Sequence, residues 1–85
     1  MFHEIVQLYE WVVDNYGTTA RLEKLWDGYA IRFPNGADIV QHSGSYRAKE
    51  GYVEPAGMPY SYKPISVELA QKIIEKNAYK LFDTP

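Results

Sequence analysis

There is no cysteine in this chain of 85 residues. Its absence removes thiol nucleophiles, thiolate zinc sites and disulfide staples together, and it fits a reducing cytosol. Histidine is scarce, with only His3 and His42, and His3-Glu4 is not followed by the second histidine that a zinc-protease helix needs at i+4. No apolar run approaches the roughly 20 residues of a membrane span. The N-terminus, Met-Phe-His-Glu-Ile-Val, carries no basic segment or small-residue cleavage site of a signal peptide. Neither sign of charge dominates, with 9 basic and 11 acidic residues and a net charge of −2. A general duplex-DNA binder would carry a basic excess, and a DNA mimic a far more acidic surface. No glycine pattern matches a phosphate-binding loop followed by a helix. The expectation is one cytoplasmic domain over residues 1–85, without metal, cofactor or membrane contact.

Aromatic residues, in contrast, are plentiful: 15% of the chain, eight of them tyrosine. Tyrosine joins a large apolar body to a polar tip and is enriched at binding surfaces. A chain this short buries only about 60–65% of its unfolded surface, so some of these rings must serve as core.

Residues 2–16 read as an amphipathic helix. Ile5, Leu8, Tyr9, Val12, Val13 and Tyr16 recur at helical spacing, Glu4, Gln7, Glu10 and Asp14 take the other side, and Gly17 suits the stop. Trp11 lies off this stripe and is expected to widen it, the alternative being that it marks a contact site. A second helix starts at Ser66 as N-cap and carries Leu69, Ala70, Ile73, Ile74, Ala78 and Leu81 on its apolar side. Glu68 near its start and Lys76 and Lys80 near its end match the helix dipole.

Between the helices two turn signals predict a β-meander. Asp27-Gly28 sets one hairpin, and Pro34-Asn35-Gly36 suits a three-residue loop with a bulge. Counting from these turns pairs Trp26 with Tyr29, Lys24 with Ile31 and Leu22 with Phe33. The second hairpin pairs Phe33 with Ala37, Ile31 with Ile39 and Tyr29 with Gln41. One face is then Leu22, Trp26, Tyr29, Ile31, Phe33, Ala37 and Ile39, a core face with Lys24 and Gln41 as polar exceptions. The opposite face sets Arg32 between Glu23 and Asp38, and lines Leu25, Ala30 and Val40 in one row. A contiguous apolar row implies cover by the loop, a second subunit or a partner. The expected fold class is α+β: N-terminal helix, three- to four-stranded antiparallel β-meander, Tyr/Gly/Pro-rich loop, and a C-terminal helix packed on one sheet face.

Residues 43–65 hold most of the loop chemistry. Gly51-Tyr52-Val53-Glu54 reads as a short fourth strand returning from a turn near Ala48-Lys49-Glu50. His42, Tyr46, Arg47, Lys49, Tyr52, Tyr60 and Tyr62 fall within about twenty residues, the scale at which an unstructured loop is functional or packed on itself. Tyrosine faces can stack on a base or cover an apolar patch, while Arg and Lys pair with phosphate or carboxylate. The same rings can instead staple the loop to the sheet, and the sequence leaves both roles open. His42 beside Ser43 and near Asp38 suggests a catalytic triad, but neighbours on a strand point to opposite faces, so no catalytic residue is assigned.

The runs Phe33-Pro-Asn-Gly, Gln41-His-Ser-Gly-Ser-Tyr46 and Glu50-Gly-Tyr-Val-Glu54 resemble a pattern in small uncharacterised phage-encoded proteins. The resemblance implies a phage accessory protein, a class that includes inhibitors of host defence and ligand sponges, and it assigns no residue a role. Two readings follow. One is a non-enzymatic inhibitor or anti-defence factor that binds a host protein through Leu25, Val40 and exposed tyrosines. The other is a homo-oligomeric sponge that sequesters an anionic, nucleotide-like small molecule through Tyr46, Arg47, Lys49, Tyr52 and Tyr62.

Overall fold

Helical spacing of apolar residues produces the first and last elements, and the turn signals produce what lies between. The computed structural model describes residues 3–58 and 63–83. In chain order the elements are α1 (His3–Tyr16), β1 (Arg21–Leu25), β2 (Gly28–Arg32), β3 (Asp38–His42), α2 (Tyr46–Lys49), β4 (Tyr52–Ala56), β5 (Ile65–Ser66) and α3 (Val67–Leu81). The five strands form one antiparallel sheet in the order β1-β2-β3-β4-β5. The class is α+β as expected, with five strands rather than three or four. α3 starts where predicted: Ser66 Oγ accepts from the Leu69 N–H at 3.2 Å.

Both long helices lie on one sheet face. Ile5, Leu8 and Val12 of α1 and Ala70, Ile73, Ile74 and Leu81 of α3 are buried with Ile31, Phe33, Ala37, Ile39 and Val53 of the sheet and its turns. Trp11 packs half-buried at the edge of this cluster, widening the α1 stripe. Leu69, expected on the apolar side of α3, is exposed instead. It falls in the first turn of the helix, beside the cap and at the margin of the sheet. Pro55 is buried and faces Ile39. Proline within a sheet is confined to edge positions, and Pro55 occupies one because β5 extends only opposite Tyr52 and Val53.

The second hairpin has the predicted register, with Ile31 opposite Ile39 and Arg32 opposite Asp38. Its three-residue loop places Gly36 at φ +97°, a left-handed conformation that favours glycine. At the tip the Asn35 N–H donates to the Leu81 carbonyl at 3.2 Å, satisfying an acceptor that the end of α3 leaves open. The first hairpin differs from expectation. Leu25, not Trp26, pairs across the turn, and its partner is Gly28; Lys24 faces Tyr29 and Leu22 faces Ile31. The loop is therefore Trp26-Asp27, which moves Trp26 off the core face. The expected row of Leu25, Ala30 and Val40 is also broken, because Leu25 stands opposite Gly28 while Ala30 stands between Glu23 and Val40. The Arg32 trio survives this two-residue shift, with Glu23 reached diagonally and Asp38 directly.

An aromatic seam joins the ends of the helices. Tyr16 stacks on Phe82 with centroids 4.8 Å apart and meets Trp11 edge-on at 5.8 Å, and Phe82 meets Phe33 edge-on at 5.6 Å. Burial, and next the Glu75 carboxylate, raise the Tyr16 phenol above its ordinary value of 10.0. The unfolded chain therefore loses this proton first, so stability present below pH 10 is lost as pH rises towards the higher folded value. Tyr16→Phe should flatten that decline, measured as urea midpoints between about pH 9 and pH 11. Equal declines in variant and parent would exclude Tyr16 as the source.

Candidate functional site

The β1–β2 loop is too short to fold its own side chains inward, and Trp26 is 95% exposed at its tip. The loop itself is held. The Ser43 N–H donates to the Asp27 carbonyl, and the Asp27 carboxylate lies 3.0 Å from His42 Nδ1. Gly28 makes this closeness possible. A Cβ there would sit 2.0 Å from the Gln41 carbonyl oxygen and 3.0 Å from His42 Cα, inside the van der Waals contact of backbone atoms. Since Leu25, Gly28 and His42 are opposed in register, the glycine also leaves no side chain between Leu25 and His42 on the outer face.

The chain then turns into α2, whose first residue is Tyr46. Ser45 Oγ accepts from the Arg47 N–H at 3.1 Å and caps this single turn. Tyr46 is 70% exposed. The Arg47 guanidinium lies 6.0 Å from the Tyr46 ring centre and 5.7 Å from that of Tyr52, and its Nη1 is 3.6 Å from Glu50 Oε2. Trp26, the Asp27–His42 pair, Tyr46, Arg47 and Tyr52 are thus gathered at one end of the sheet.

Gln41 holds this end together from inside. Its side chain is buried on the core face, where Oε1 accepts from the Ile5 N–H at 3.2 Å. Its Nε2 donates to the carbonyls of Ala48 and Tyr52 at 3.3 Å each and to Glu4 Oε2 at 3.4 Å. One amide therefore connects the first turn of α1, the end of α2 and the start of β4.

Elsewhere on the outer face, Arg32 donates to Glu23 and Asp38 at 2.6 Å each. The Glu23 hydrogen bond is the main reason its guanidinium is held above the ordinary arginine value. A shallow recess of about 280 Å³ beside this pair is lined by Arg21, Leu22, Glu23 and Arg32.

Of the expected site residues, Tyr46, Arg47 and Tyr52 are brought together, with His42 at the neighbouring strand end. Lys49 is exposed at the far end of α2. Leu25 and Val40 are half-buried on the outer face and do not adjoin in one row, since Gly28 and Ala30 are their respective partners on β2. Tyr60 and Tyr62 lie outside the described residues. The acid nearest His42 is Asp27, not Asp38, which is engaged by Arg32. Among the described residues the Ser43 hydroxyl makes no hydrogen bond with the His42 ring, and no group of three His, Asp or Glu could hold a metal. No helix among them is long and apolar enough to cross a membrane. Trp26 and Asp27 are the site residues that sequence reasoning missed. The signal for both was Trp-Asp preceding Gly, read with the turn centred one residue too late.

No family model matches the chain, and no curated protein or solved structure matches it.

Proposed function

We propose that this chain is a non-enzymatic binding protein that engages another protein through the sheet end bearing Trp26 and Tyr46. The exposure of Trp26 supports this reading above all else. A tryptophan presents about 150–250 Å² of surface, so covering it is worth on the order of 4–6 kcal/mol before ordering costs. Here the ring sits on a loop whose backbone and carboxylate are already fixed to β3, which reduces those costs. Trp, Tyr and Arg are the residues that dominate binding energy at protein interfaces, and Trp26, Tyr46 and Arg47 provide all three. A cytoplasmic host protein is the partner class this reading takes, with the chain acting as an inhibitor or anti-defence factor.

A second reading is a sponge for an anionic, nucleotide-like small molecule. Its support is the position of Arg47 between the Tyr46 and Tyr52 rings, where a base could stack. One feature weighs less well for it: Arg47 already pairs with Glu50.

The test is quantitative capture from host extract by the parent chain, Trp26→Ser and Arg47→Ala, with melting temperatures recorded for each. We expect one host protein to be retained by the parent and reduced at least about tenfold by Trp26→Ser, since losing more than 1.4 kcal/mol exceeds tenfold. The fold should be undisturbed, because the removed ring touches little. Equal capture by Trp26→Ser would reject the protein-binding surface. A native mass spectrum showing a few hundred daltons of added mass, lost in Arg47→Ala alone, would favour the sponge.

A further inference from the structure

β1 is one edge of the sheet, with no strand beyond it among the described residues. An edge strand offers a row of unpaired backbone donors and acceptors to a further strand. A second copy can supply that strand through a two-fold axis normal to the sheet, which pairs the edges antiparallel and keeps each face continuous. Two conditions then restrict the register. Opposed residues must both turn their backbone groups outward, so they differ by an even number of positions and the axis passes through a residue. Like charges directly opposite each other destabilise the pairing.

These conditions leave one register within β1. An axis at Arg21 opposes two arginines, at Glu23 two glutamates and at Lys24 two lysines, while an axis at Leu25 sets Glu23 against Asp27. An axis at Leu22 opposes two leucines and sets each Arg21 against the second copy's Glu23, twice over. We infer that the chain forms a two-fold dimer through β1 with Leu22 on the axis, joining two five-stranded sheets into one.

The monomer is prepared for this pairing. Arg21 is exposed and makes no ion pair among the described residues, whereas Glu23 is held 2.6 Å from Arg32 and remains 53% exposed. In the dimer Glu23 lies between Arg32 of its own chain and the second copy's Arg21. The recess lined by Arg21, Leu22, Glu23 and Arg32 borders this edge, where the second copy's side chains would fill it. Lys24, with its ammonium 5.1 Å from the centre of the Tyr29 ring, faces the second copy's Ala20 and opposes the slipped registers. Five residues of edge bury less than the roughly 1,000 Å² of a stable interface, so the dimer is weak and exchanges.

Sedimentation equilibrium from about 20 µM to 1 mM tests the proposal. The parent should pass from monomer to dimer over this range. Arg21→Glu and Glu23→Arg should each weaken dimerisation at least about tenfold, because each places like charges in both cross-strand pairs. An equimolar mixture of the two variants should recover the dimer, since every acid of one chain then faces an arginine of the other. A parent that stays monomeric at about 1 mM, or a dimer that Arg21→Glu leaves intact, overturns the proposal. Arg21→Glu decides the case even if Glu23→Arg disturbs the fold by releasing Arg32, because among the described residues Arg21 makes no ion pair and its cross-strand neighbour is Arg32.

Discussion

Gly28→Ala is expected to remove about 3 kcal/mol or more of the protein's stability. The added methyl would lie 2.0 Å from the Gln41 carbonyl oxygen, and the next nearest atoms, Gln41 C and His42 Cα at 3.0 Å, are also backbone. A flexible side chain could swing away from such a contact, but two paired strands can only separate. Separation would break the Gly28–His42 end of the ladder, the Asp27–Ser43 hydrogen bond and the seat of Gln41 together. Forcing an extra methylene into a packed interior ordinarily costs about 1–3 kcal/mol, and a backbone collision of this depth should reach about 3 kcal/mol or more. A domain of this length has roughly 4–13 kcal/mol in total. Gly44→Ala is the control, because nothing lies within 4 Å of a Cβ there. Urea denaturation of both variants checks the expectation, and a Gly28→Ala midpoint within error of Gly44→Ala would show that the strands are not held so close.

Gln41→Leu should be nearly as damaging, for the opposite reason. Leucine fits the volume and the apolar surroundings but makes none of the four hydrogen bonds. The Ile5 N–H belongs to the first turn of α1, where no intrahelical acceptor exists, and the Ala48 and Tyr52 carbonyls would lose the same donor. Each buried polar group left without a partner costs about 1–3 kcal/mol; the bonds at 3.2–3.4 Å are long, so a combined loss of about 3 kcal/mol is expected. The loss should be local as well as global. Amide exchange at Ile5 and across residues 46–51 should accelerate beyond the change in global stability. A loss under about 1 kcal/mol would mean that water replaces the amide.

The long, periodic elements were readable from the sequence, and so was the second hairpin. In α1 and α3 many apolar positions agree on one face, and Ser66 supplies a side-chain cap that little else at that position would explain. Pro34-Asn35-Gly36 left one workable loop geometry, so its register followed. Asp27-Gly28 misled because glycine has two uses. It was read as the residue of a turn, whereas its function here is to let Gln41 and His42 approach. That single reading moved Trp26 from the tip of the loop into the core, and so concealed the most exposed large hydrophobic side chain among the described residues. α2 has four residues, too few to show a period, and β5 has two, so neither could be recognised from pattern. Gln41 was visible as a polar exception on an apolar face. What could not be read was that its partners come from α1, α2 and β4, because only the folded arrangement brings them to one amide.

The strand order has a consequence for synthesis. Each strand of the sheet pairs only with its neighbours in sequence, so the hairpins can form soon after they leave the ribosome, and low separation of contacts favours rapid folding. The apolar side of α1 finds only part of its cover among the strands that follow it. It shares its core with Ile73, Ile74 and Leu81, and the hairpin tip at Asn35 likewise waits for the Leu81 carbonyl. A nascent chain therefore carries a formed meander that α1 covers only in part until the last helix emerges, and over that interval the remainder of its apolar face stays in contact with water.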